Sequence, residues 1–150
     1  MNITSEDMRT LQLGPLWVLS ALAGTYSRFQ PEELAAFWDT IVDVALRTPE
    51  PARQLLTSTS ADRSGLLLDF ELDDRPVVSG LGQLMAVLDK LDPPVGPDYR
   101  LALVNLAIGL GLARGPYGRR ITPEDEQMIL LLAALLEIES APGLPEEVLT

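Results

Sequence analysis

The residues of this chain best suited to chemistry are carboxylates gathered at two helix starts. Glu32 and Glu33 follow Pro31 in "FQPEELAAFW", and Glu124, Asp125 and Glu126 follow Pro123 in "ITPEDEQMIL". Oxygen ligands of this kind hold hard cations such as Ca²⁺ and Mg²⁺. If the two starts converge, Glu32, Glu33, Glu124 and Asp125 are the candidate ligands. The competing reading is local: acids in a first helical turn satisfy free N–H groups and the positive end of the helix dipole, by about 0.3–1 kcal/mol each. A second acidic run, Asp69, Glu71, Asp73 and Asp74, has the density of a calcium loop. It lacks the central glycine and the distant bidentate Glu of such loops, and reads as a solvated connector or an acidic docking strip. Two carboxylates facing a cleft also serve glycoside hydrolysis, but nothing in the sequence fixes their separation.

Arg114, Arg119 and Arg120 form the one dense basic patch of an acidic chain. Guanidinium forks pair with carboxylates or phosphates. The patch therefore reads either as a solvated turn or as a dock for a partner's acidic surface, including the acidic helix starts of a second subunit. Trp17 and Trp38, with Phe37, belong in the core of the first helix pair, and either Trp would anchor an interface if exposed.

Absences narrow the chemistry further. The chain has no Cys and no His, which removes thiolate nucleophiles, disulfides, the commonest transition-metal ligands and the commonest general base near neutral pH. A non-enzymatic protein is expected, with no cofactor unless Ca or Mg binds. A net charge of −11 has the wrong sign for binding a phosphate backbone, so no nucleic-acid partner is expected. The opening "MNITSEDMRT" carries acid where a signal peptide carries base, and the longest uncharged apolar runs, 101–113 and 128–136, fall short of the roughly 20 residues of a membrane span. A cytoplasmic protein without a transmembrane segment is expected.

The elements that position these residues are helical. Thr4 and Ser5 ahead of Glu6 and Asp7 mark an N-cap and first turn. Gly14-Pro15 interrupts that helix, and a new one runs through "LWVLSALAGTY". Leu34, Phe37, Trp38, Ile41, Val42 and Ala45 recur at spacings of three and four, an amphipathic helix that Pro49 and Pro51 close before a shorter one through "ARQLLTS". In residues 59–75, "LLDFELDD" alternates apolar and acidic residues with the period of a strand, yet no second strand is visible for it to pair with. That stretch reads as an irregular connector or a single helical turn. Pro76 opens a helix with Leu81, Leu84, Met85, Leu88 and Leu91 along one face. "YRLALVNLAIGLGLARG" follows, apolar nearly all round and studded with small residues that admit close neighbours, which makes it central.

The chain repeats itself. Each half holds an apolar helix rich in small residues, a turn with Tyr and Arg (Tyr26 and Arg28; Tyr117, Arg119 and Arg120), and a Pro-acid-acid start to an amphipathic helix. Ala23 aligns with Ala113 and Pro31 with Pro123 once about two extra residues are allowed in the second turn. This layout resembles the TerB-like family of bacterial helical domains, associated with tellurite resistance and stress response, over residues 16–46 and 101–138. In that family a helix ending in an Ala-Asp-Gly turn precedes a Glu-bearing helix start, and the pair occurs twice. Here "LAGTYS" and "LARGPY" put Ala23 and Arg114 where the family carries Asp.

The expected fold is all-α: one domain over 1–150 with six or seven helices, arranged as two pseudo-symmetric helical hairpins around one core. The halves span about 15–47 and 98–139, with an irregular connector at 59–75 and a loose tail at 141–150. Apolar residues make up 47% of the chain, a surplus for one small core, which points to a homodimer. The resemblance implies an interaction module in a stress-response assembly. A divalent-cation binder and a carrier of an apolar ligand held between the hairpins are the alternatives.

Overall fold

The computed structural model of the chain describes residues 3–24, 29–114 and 121–138, with the backbone alone at 114. Among these described residues seven α-helices follow in order: α1 (Ser5–Ala23), α2 (Pro31–Leu46), α3 (Ala52–Ala61), α4 (Arg63–Leu72), α5 (Val77–Leu88), α6 (Val95–Arg114) and α7 (Pro123–Leu135). There is no strand among the described residues. The expected tail, 141–150, lies outside them.

The helix starts follow the sequence signals. Thr4 caps α1 by accepting from the Asp7 N–H, while the Asp7 carboxylate accepts from the Thr4 N–H, so two free donors are satisfied reciprocally. At α2 the Glu33 carboxylate accepts from the Gln30 N–H at 2.9 Å. At α7 Thr122 Oγ1 accepts from the Asp125 N–H. Both α2 and α7 begin at a proline, whose missing N–H costs nothing there.

Two sequence expectations are corrected. Gly14-Pro15 does not divide the first helix, because α1 runs unbroken past Pro15. Proline inside a helix leaves the carbonyl four residues back without its donor. Here that carbonyl, of Leu11, accepts from the buried Tyr99 hydroxyl instead. The region 59–75 is not an irregular connector: it completes α3 and forms α4. Asp62 caps α4 through the Gly65 N–H, and Leu66 and Phe70, one helical turn apart, face the core. The alternation that imitates a strand places Leu68 and Leu72 outward, while Asp69 turns to Arg9 of α1 at 2.7 Å.

α6 is the centre of the bundle, and α1, α2, α3 and α7 all pack on it. Its small residues set the distance. A Cβ at Gly109 would stand 2.6 Å from Thr40 Cγ2 of α2, so only glycine lets these two helices approach so closely. α1 lies against α5 and α6, and its Leu11, Leu16 and Trp17 are almost wholly excluded from solvent. Among the described residues no helix is long and apolar enough to cross a membrane.

Candidate functional site

Besides residues 101–113 of the central α6, three stretches carry no charge: residues 16–24 in and after α1, 76–88 at the start of and through α5, and 127–136 in and just after α7. The fold brings them side by side, since α1 packs on both α5 and α7 and α5 touches α7. In α7, Ile129, Leu132, Ala133 and Leu136 turn to the core at helical spacing. Every neighbouring position is apolar too, so Leu130 and Leu131 are left half exposed, at 48% and 50%. In α5, Gly80, Leu81 and Leu84 face inward, and Val78 is left 60% exposed. Between them runs a groove of about 260 Å³, bordered by Ala21, Val77, Val78, Met128, Leu131 and Leu135. A concave apolar surface with half-exposed aliphatic rims is a place for another apolar surface to seat.

Beside Trp17 lies a charged cluster that locks α1, α5 and the α4–α5 loop together. The Arg75 guanidinium stacks on the Trp17 ring, 5.0 Å from its centroid. It also forks onto both carboxylate oxygens of Asp73, reaches Thr10 Oγ1 at 3.3 Å, and donates to Gln83 Oε1. Those hydrogen bonds from Arg75 hold the Asp73 carboxyl below the usual carboxylate range, and Asp73 in turn raises Arg75. Arg9 joins Asp62 and Asp69 of α4, and Lys90 pairs with Asp7 at 3.2 Å. These groups tie elements of the chain to one another, a structural task.

The acids singled out from sequence sit at helix starts as expected, and the structure does not gather them. Glu32 and Glu33 border a groove of about 170 Å³ with Leu19, Ala36, Leu110 and Ala113. Glu124 is exposed and Asp125 is buried in the first turn of α7. Both α2 and α7 lean on α6. Among the described residues no three acidic side chains are grouped so as to hold a metal ion.

Trp17 and Trp38 are buried, as is Phe37, so neither Trp is an exposed anchor; Arg63 lies 4.8 Å over the Trp38 ring. Arg119, Arg120, Tyr26, Arg28 and Tyr117 lie outside the described residues, as does the side chain of Arg114. A further apolar groove, of about 230 Å³, is bordered by Ile3, Met8, Leu55, Leu91 and Val95. It opens between α3, the start of α1 and the α5–α6 turn, elsewhere than the space between hairpins where an apolar ligand was expected.

Sequence reasoning missed Arg9, whose partners Asp62 and Asp69 lie far along the chain, and Arg75, which joins the neighbouring Asp73 to the distant Thr10, and missed Val78 with Leu130 and Leu131. For the last group a signal existed: the uncharged stretches 76–88 and 127–136 in a chain with 22% charged residues. Compared with protein-family models, with curated proteins and with solved structures, the chain matches none. Fold and surface define it as an all-α bundle with an uncharged apolar groove on one face.

Proposed function

We propose that the chain is a non-enzymatic protein-interaction module that pairs with a second copy of itself through the uncharged face of α1, α5 and α7. The observation that carries this reading is the exposure of Val78 and Leu131 at the groove in a chain of net charge −11. Two such chains repel one another wherever acids face acids. A surface free of charge lets them approach without that cost and removes apolar area from water at about 25 cal/mol per Å². A two-fold arrangement puts the same patch on both sides, so Leu131 of each copy faces the groove of the other. A place in a bacterial stress-response assembly rests on the resemblance to TerB-like domains alone, which is analogy of fold.

Sedimentation equilibrium at micromolar concentrations tests the reading. The expected mass is twice 16.3 kDa for the natural chain, and the single-chain mass for Val78→Glu/Leu131→Glu with unchanged helicity. A natural chain that stays at 16.3 kDa throughout the concentration range sinks the dimer.

A further inference from the structure

The outer face of α2 breaks local rules of helix stability. Glu32, Ala35, Asp39, Val42, Asp43 and Leu46 are all exposed and follow one another at helical spacing, along about 21 Å of helix. Val42 is 51% and Leu46 71% exposed. The three carboxylates alternate with the apolar side chains, and no base stands among them. Asp39 and Asp43 are one turn apart, where like charges repel, and Asp43 lies in the last turn, beside the negative end of the helix dipole. Neither acid makes an ion pair among the described residues, and the C-cap residue Arg47 does not reach Asp43. Arrangements that weaken a helix without a local compensation mark functional surface.

We propose that this face of α2 docks a basic amphipathic helix of another protein. Ala35, Val42 and Leu46 would take the partner's apolar stripe, and Glu32, Asp39 and Asp43 its flanking Lys or Arg side chains. Charge complementarity selects this occupant. A second copy would set carboxylate against carboxylate, and nucleic acid or an anionic membrane surface would be repelled. The inference shares with the preceding section the interaction-module reading, but it uses a different surface and a different partner.

The test is fluorescence anisotropy with a labelled synthetic peptide of about 18 residues of Leu and Lys, patterned as an amphipathic helix. Three double variants are compared with the natural chain. Val42→Gln/Leu46→Gln keeps the charge, and binding is expected to weaken about fivefold or more. Asp39→Asn/Asp43→Asn is expected to weaken binding about fivefold while raising the melting midpoint by about 1–3 °C. Glu71→Gln/Asp74→Asn, on and just after α4, removes the same charge elsewhere and is expected to change binding less than about twofold. Undiminished binding by Val42→Gln/Leu46→Gln overturns the proposal, as does equal weakening by the two charge-removing variants, since either result means attraction by net charge alone. The titration is repeated on Val78→Glu/Leu131→Glu, so that failure of the dimer and failure of this dock are told apart.

Discussion

The Tyr99 hydroxyl donates a 2.5 Å hydrogen bond to the Leu11 carbonyl, the group that Pro15 deprives of its helical donor. Both ends are buried, so the pairing replaces a bond that water could not supply. Tyr99→Phe keeps the ring and leaves that carbonyl without a partner, at an expected cost of about 1–3 kcal/mol. The melting midpoint should fall by about 3–10 °C. Pro15→Ala restores an N–H to the same carbonyl, so in that background the Tyr99→Phe cost should drop by half or more. A thermal double-mutant cycle measures the coupling, and equal costs in both backgrounds would show that the hydroxyl is not repairing α1.

The same tyrosine ties stability to alkaline pH. Burial pushes the Tyr99 hydroxyl well above its ordinary pKa of 10.0. In the unfolded chain the phenol titrates near 10 and in the folded chain it stays protonated, so above that pH the unfolded state binds fewer protons. Stability is therefore fully present below pH 10 and is lost as pH rises, at up to about 1.4 kcal/mol per pH unit from this group. Chemical denaturation between pH 9 and pH 11 should show a steeper decline for the natural chain than for Tyr99→Phe. Parallel curves would place the alkaline loss in other groups.

The helix starts at Pro31 and Pro123 were legible because their signals are local: a proline, acids beside it, and a capping side chain within three residues. The continuity of α1 was not, since the group that repairs it stands 88 residues from the carbonyl it serves. α4 was hidden by coincidence. Its apolar and acidic residues alternate, yet the spacing that matters is Leu66 to Phe70, and Asp62 caps it. The candidate surface was harder still. Beyond its acidic first turn α7 is apolar on every side, so the sequence contains no indication of which leucines face out; that is decided by where α1 and α6 lie against it. The exposed acids of α2 could be read as a solvated face, and only the absence of an ion pair to Asp39 or Asp43 among the described residues distinguishes them.

Two glycines one turn-half apart in α5 should respond to alanine in opposite directions. Gly80 is buried with its backbone against the Trp17 indole, and an added Cβ would overlap the ring atoms Cε2, Cζ2 and Cδ2. The ring is rigid, and Arg75 is stacked over it, so it has no easy way to yield. Overpacking of this kind costs about 1–3 kcal/mol even after alanine's better helix propensity is counted. At Gly82 a Cβ meets nothing within 4 Å and the site is exposed. There alanine only narrows the unfolded ensemble and favours the helix, with an expected gain of about 0.4–1 kcal/mol. Thermal melts of the two single variants check this: Gly80→Ala should melt lower than the natural chain and Gly82→Ala higher. Tryptophan emission adds a second readout, because displacing the Trp17 ring from its buried seat should shift its spectrum to the red in Gly80→Ala and leave Gly82→Ala unchanged. A Gly80→Ala variant as stable as the natural chain would mean that α5 can slide along α1, and the close seat of Trp17 would not be what fixes the register of the two helices.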